Sequence, residues 1–161
     1  MLIIDDFLPY YQFKQIVDIL NDTYFPWYYN DGVNYENDSF DQYKHTFYNS
    51  NSNGGSEYLN LWDFTCKKLQ VKKLYRIKVN ATNKTLFKRN TGFHIDDFPC
   101  PTTAVYYINT CNGWTQFKKG GKVKSVANRM VIFDNNLLHA GVTCTDEKRR
   151  VVVNFNYVPA L

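Results

Sequence analysis

The sequence predicts a mainly β, α+β fold: a sandwich or jelly roll of short antiparallel strands with helices packed outside it. Three observations carry this. Apolar residues recur at spacings of three and four only before residue 70. From Leu74 onward the apolar runs are short, rich in β-branched and aromatic residues, and punctuated by turn signals such as Asn112-Gly113 and Gly120-Gly121. Helical and strand patterns are segregated along the chain rather than alternating, which disfavours a parallel sheet. The length of 161 residues suits a single core, so 1–161 is read as one domain, with helices and a loop in 1–70 and the β core in about 71–161.

The first element is a short strand at Ile3-Ile4 that runs into a turn at Asp5-Asp6, with Pro9 near a helix start, where its missing N–H costs least. Phe13, Ile16, Val17, Leu20 and Tyr24 then form one apolar stripe, while Lys14, Asp18 and Asp22 fall on other faces. Residues 30–56 turn to Asn, Asp, Ser and Gly, which reads as mostly loop with room for one strand. Its Tyr35, Phe40, Tyr43 and Phe47 either form a lid over a substrate or tuck against the surface, and His45 among them reads as a surface residue. Tyr58, Leu61, Trp62, Phe64, Cys66 and Leu69 give a second short helix over 57–69. Strands follow at 74–79, 102–109, 114–117, 123–126, 129–133 and 151–157.

Composition excludes several classes. With 17% aromatic residues and only 8 Gly and 5 Pro, disordered and collagen-like readings fail. No apolar run approaches the roughly 18 residues of a membrane span, and no secretory leader precedes Asp5, so the expectation is a cytoplasmic protein. Cys66, Cys100, Cys111 and Cys144 show no Cys-x-x-Cys spacing and read as buried or half-buried thiols. The net charge of +4 is spread over several segments, so a nucleic-acid partner is not favoured.

The chemistry concentrates in Gly92-Phe93-His94-Ile95-Asp96. Residues two apart on a strand share a face, so the His94 imidazole and the Asp96 carboxylate can converge on one ion. His139, in Asn136-Leu137-Leu138-His139, can complete a set of two imidazoles and one carboxylate, the donor set of non-haem Fe(II) oxygenases. Arg149 and Arg150 follow at the head of a strong strand, where a guanidinium can clamp a carboxylate bidentately.

Taken in order, these residues resemble the 2-oxoglutarate/Fe(II)-dependent dioxygenases, and within them the prolyl 4-hydroxylase-like branch. The resemblance rests on Ile3-Ile4-Asp5-Asp6-Phe7-Leu8 ahead of a helix, Gly92-Phe93-His94-Ile95-Asp96, and Ala104-Val105-Tyr106-Tyr107-Ile108-Asn109. It continues with Val131-Ile132-Phe133 leading to His139, and with Arg150 and its strand. It implies a double-stranded β-helix with N-terminal helices packed against the sheet, Fe(II) held by His94, Asp96 and His139, and 2-oxoglutarate and O2 as co-substrates. It further implies that Arg150, or its neighbour Arg149, pairs with the distal carboxylate of 2-oxoglutarate, with Tyr107 and Asn154 beside it. The activity implied is hydroxylation of an aliphatic C–H in a peptidyl, prolyl-type substrate or a small molecule, with decarboxylation of 2-oxoglutarate to succinate.

Two departures stand out. Lys84 occupies the place of a Tyr usual in the family, so Arg76, Lys78 or Asn80 faces the co-substrate instead, and Asn112-Gly113-Trp114-Thr115-Gln116-Phe117 replaces the usual Gly-Gly-x-Thr-x-Phe strand. Phe93, Phe98, Phe133 and Val152 are candidates for a dry wall, and Asp97 faces solvent. Two other function classes are a nucleic-acid-directed oxidative demethylase, supported by the basic run from Lys118 to Lys124, and a non-catalytic jelly-roll binding module. Oligomeric state is not encoded in any of these patterns.

Overall fold

The last strand organises the molecule. β10 (Arg149–Pro159) lies at the centre of a sheet, antiparallel to β4 (Val71–Asn83) along its length and to β5 (Thr102–Tyr107) over Val152–Tyr157. In the computed structural model, which describes residues 1–33, 40–52 and 54–160, that sheet has seven strands in the order β1-β8-β5-β10-β4-β3-β2. The remaining members are β1 (Leu2–Ile4), β2 (Tyr28–Asp31), β3 (Asp41–Asn49) and β8 (Arg129–Asp134). A second sheet of β6 (Trp114–Phe117), β7 (Lys122–Lys124) and β9 (His139–Val142) has β6 in the middle. Every pairing is antiparallel, giving a mainly β, jelly-roll-like architecture with few helices. Among the described residues no helix is long and apolar enough to cross a membrane.

The period-two alternation of β10 assigns its two faces. Val153, Phe155 and Tyr157 enter a large core cluster with Ile77, Val79, Ala104, Tyr106 and Trp62. Trp62 is fully buried and meets Phe47 and Phe155 edge-on at 5.2 and 5.4 Å. Burying each such side chain contributes about 2 kcal/mol. Ile16 and Leu20 of α1 (Tyr10–Leu20) belong to the same cluster, and Phe13 meets the Tyr106 ring edge-on at 6.2 Å. A smaller cluster, Val105, Tyr107, Phe117, Val123, Val131, Phe133 and Val152, lies on the opposite face of the large sheet and draws on both sheets. Asn128, at φ 62°, ties the N-terminal segment down: its Oδ1 accepts from Leu8 N at 2.9 Å and Tyr106 Oη at 2.6 Å, and its Nδ2 donates to Leu8 O at 2.8 Å.

Several expectations are corrected. Residues 30–56 hold the end of β2 and, as the one strand for which the composition leaves room, β3, which pairs with β4 inside the large sheet. Polar residues fill β3, and a register shift between Thr46 and Tyr48 breaks its alternation, so composition hides the strand. The lid reading fails for the described aromatics, because Phe47 is fully buried core, Phe40 packs under the Arg89 guanidinium and Tyr43 under that of Arg149; Tyr35 lies outside the described residues. His45 is buried rather than on the surface, held by Pro26 O at 2.8 Å and Ser56 Oγ at 2.7 Å beside the Phe25 and Phe47 rings. Tyr24 lies beyond α1 and is exposed. The helix over 57–69 divides into a 3-10 turn (Leu59–Trp62) and α2 (Asp63–Lys68), leaving Phe64 exposed. β4 extends well past 74–79, and β9 was not anticipated because four residues carry too little periodicity.

Candidate active site

The other face of β10 carries Arg150, Val152, Asn154 and Asn156, and the facing residues of β4 are Thr82, Asn80, Lys78 and Arg76, paired with them in register. All but Asn156 line a cavity of about 310 Å³ between the two sheets. Polar residues alternate along this face of β4 because it looks into the cavity.

Across the cavity, His94 and His139 are joined by a two-way backbone bridge, each amide donating to the other's carbonyl at 3.0 Å. The bridge sets their rings 4.7 Å apart. His94 and Asp96 do not lie on a regular strand as expected; the segment is extended, with isolated bridges only at Asn90 and His94. One ligand atom from each of His94, Asp96 and His139 nevertheless lies within 4.8 Å of the others. His139 Nδ1 donates to Leu137 O at 2.9 Å and His94 Nδ1 to Gly92 O at 3.2 Å, so in each ring Nε2 is left free of these bonds. Burial holds the His139 pKa below its usual value, which keeps the ring neutral and its lone pair available at pH 7.

Asp96 is buried, which alone would raise its pKa, but the Arg76 guanidinium at 2.8 Å and the Asn156 amide at 2.9 Å hold its carboxyl below the usual carboxylate range. Asn156 also donates to Thr103 Oγ1 at 3.0 Å, and Thr103 Oγ1 donates to Asn135 Oδ1 at 2.6 Å, so the carboxylate orientation is set by a buried network. Two imidazoles and one ionised, oriented carboxylate are a donor set that fits Fe(II).

At the far end Arg150 is only 5% exposed. Its Nε donates to Ser125 Oγ at 2.9 Å and its Nη2 to Thr115 Oγ1 at 2.9 Å, while no carboxylate among the described residues pairs with it. Gly113 and Gly141 make room for it: a Cβ on Gly113 would meet Arg150 Cδ at 2.9 Å, and one on Gly141 would meet Nη1 at 3.4 Å. Tyr107 is not on the cavity wall as expected. It lies behind Arg150, its ring centroid 5.5 Å from the guanidinium carbon, and its hydroxyl donates to Thr115 Oγ1 at 2.7 Å. Burial keeps that phenol protonated.

Arg149 is excluded from the cavity. It is the exposed neighbour on the other face of β10, bonded to Asn83 Oδ1 at 3.1 Å and lying over the Tyr43 ring. Asn154, Arg76, Lys78 and Asn80 line the cavity; Lys84 is exposed and is not among its lining residues. Of the proposed dry wall, Phe133 and Val152 are buried, with the Phe133 ring 4.9 Å from His139. Phe93 is 39% exposed, and Phe98 lies under Arg76. Asp97 is exposed at the cavity rim. Sequence reasoning missed Thr115, Ser125 and Asn156. Stepping along β10 by twos from Arg150 would have found Asn156.

No protein-family profile matches the chain, and no curated protein matches it in sequence. Solved structures do match. A 2OG-Fe(II) oxygenase family oxidoreductase from Burkholderia pseudomallei aligns with a TM-score of 0.66 at 13% identity, over 98% of this chain and 86% of its own. The chain has the fold of the 2-oxoglutarate/Fe(II) oxygenases. A Pseudomonas putida prolyl-4-hydroxylase shares this oxygenase fold with a TM-score of 0.62 at 13% identity, over 99% and 92% of the two chains. So does a Trichoplax adhaerens prolyl hydroxylase, in complex with a hypoxia inducible factor oxygen degradation domain peptide fragment, at 0.65 and 15%, over 97% and 82%.

Proposed function

We propose that the protein is an Fe(II)- and 2-oxoglutarate-dependent oxygenase that hydroxylates an aliphatic C–H, with a prolyl-type peptidyl substrate the favoured class. One observation carries the reading: His94, Asp96 and His139 converge at one side of a cavity whose other end holds a buried arginine with no carboxylate partner among the described residues. His94, Asp96 and His139 would hold Fe(II), which when bound with 2-oxoglutarate and O2 supplies the oxidising power to break the C–H bond. The balanced reaction takes R–H, 2-oxoglutarate and O2 to R–OH, succinate and CO2.

The chain's own residues bind, orient and exclude. Arg150 takes the distal carboxylate of 2-oxoglutarate through charge-assisted hydrogen bonds, its guanidinium pre-set by Ser125 and Thr115. Tyr107 acts through Thr115, fixing that hydroxyl from behind. Arg76 and Asn156 keep Asp96 ionised and aimed, and Asn154 borders the co-substrate position. Phe133 and Val152 exclude water on the β8 and β10 side. A peptidyl substrate is supported by the Trichoplax adhaerens relative in fold, whose structure includes a peptide fragment.

The test is Fe(II)-dependent release of succinate and CO2 from 2-oxoglutarate. Wild type is expected to release both, to stop on chelation of the metal and to resume on adding Fe(II), while His139→Ala stays silent. Equal release from His139→Ala and wild type would overturn the assignment.

A further inference from the structure

The cavity holds more positive charge than the proposed chemistry uses. Arg76, Lys78 and Arg150 line it against the buried carboxylate of Asp96 and the exposed one of Asp97 at the rim, a surplus of one positive charge. Fe(II) adds two positive charges and 2-oxoglutarate two negative ones, so loading the site leaves that surplus unchanged. Arg76 is already committed to Asp96 at 2.8 Å, and Arg150, braced by Ser125 and Thr115, is placed for the distal carboxylate. Lys78 remains. It is half-buried, it lines the cavity on the β4 face between Arg76 and Asn80, and no group among the described residues accepts a hydrogen bond or ion pair from it.

The same strand face carries a second uncompleted group. Asn80, two residues along and also lining the cavity, is 9% exposed, and its buried Oδ1 has no hydrogen-bond partner. Buried polar atoms are rarely left orphaned unless a ligand or water completes them. The Asn80 oxygen is an acceptor and needs an N–H or O–H donor, such as a peptide amide, whereas the Lys78 ammonium is the donor that an anion would take. Burial first, then the Arg76 and Lys44 charges, push the Lys78 pKa down to about 8 against the opposing pull of Asp96.

We propose that Lys78 binds a carboxylate carried by the primary substrate, so that the cavity selects an acidic substrate over its neutral isostere. This rests on the oxygenase reading. The other source of the same chemistry is the keto-acid carboxylate of 2-oxoglutarate.

Both sources are separated in protein loaded with Mn(II), a redox-inert stand-in for the metal, by following paramagnetic broadening of ligand resonances. With 2-oxoglutarate saturating, two matched pairs of probes are titrated: N-acetyl-L-proline against N-acetyl-L-prolinamide, and N-acetyl-L-aspartate N-methylamide against its asparagine counterpart. In at least one pair the acid is expected to bind ten-fold or more tightly than the amide. Lys78→Met should erase that preference and Lys78→Arg should keep most of it, while 2-oxoglutarate binding to both variants reports that the site is still folded. Equal binding of acid and amide in both pairs, or a preference that survives Lys78→Met, overturns the proposal. So does a ten-fold loss of 2-oxopentanoate binding in Lys78→Met, which would give Lys78 to the co-substrate. If wild type binds no 2-oxoglutarate at all, the oxygenase reading falls and takes this proposal with it; normal 2-oxoglutarate binding without acid preference overturns the proposal alone.

Discussion

Arg150→Met isolates the co-substrate clamp. In wild type the guanidinium is buried and held at 2.9 Å by both Ser125 and Thr115, so a distal carboxylate meets a desolvated, pre-oriented partner with little solvent screening. Removing one partner of such a buried charge pair costs about 2–5 kcal/mol of binding, which is roughly 30- to 5000-fold in Kd. The same change should cost much less in stability. Methionine fills similar apolar volume and removes a cation with no carboxylate partner among the described residues, against the loss of two hydrogen bonds at about 1 kcal/mol each. Calorimetric titration of Mn(II)-loaded protein with 2-oxoglutarate measures the loss. 2-Oxopentanoate, which lacks the distal carboxylate, serves as internal control and should lose less than about threefold. A change under fivefold for 2-oxoglutarate, or equal losses for both ligands, would refute the clamp.

Tyr107→Phe removes the hydroxyl behind Thr115 and should raise the KM for 2-oxoglutarate about fivefold, the equivalent of about 1 kcal/mol, with kcat nearly unchanged; an unchanged KM would end the positioning role. The lowered pKa of Asp96 makes the metal-free protein pH-sensitive. Its contribution is present above the unfolded value of 3.8 and is lost as pH falls through the lower folded value, so urea midpoints should drop in that acid window and drop less in Arg76→Met. Burial pushes the thiols of Cys66 and Cys144 up to about 11, so neither should react appreciably with a disulfide reagent at pH 8 until denaturant is added; rapid labelling of either in native protein contradicts the packing. Asn128→Ala strips Leu8 and Tyr106 of three hydrogen bonds and should destabilise by about 3–5 kcal/mol in urea unfolding.

The sequence made visible the elements rich in packing residues. β5, β8 and β10 are β-branched and aromatic, and their positions were readable from that alone. β3 and most of β4 were obscured for a common reason: their polar residues do structural or cavity work, so composition imitates a loop or cuts the strand short. His45 shows the same effect at one residue, buried because Pro26 and Ser56 satisfy both ring nitrogens. The three candidate ligands were findable because ordered neighbouring motifs flank them. The resemblance favours Arg150 over Arg149, and strand register assigns each a face; Tyr107 sits behind the wall rather than on it, two positions that have the same local sequence. Ser125 and Thr115 come from separate strands and turns, and nothing local announces that they meet one guanidinium.

β10 has a consequence for how this chain can change. Its residues serve the core and the cavity in strict alternation, so inserting or deleting one residue ahead of Val151 would turn Val153, Phe155 and Tyr157 toward the cavity and drive Arg150, Asn154 and Asn156 toward the apolar cluster. No half-way state exists in which the clamp is lost and the packing kept. Point substitution on one face is therefore the only gradual route open to this strand, and drift in length is confined to the turns that border it.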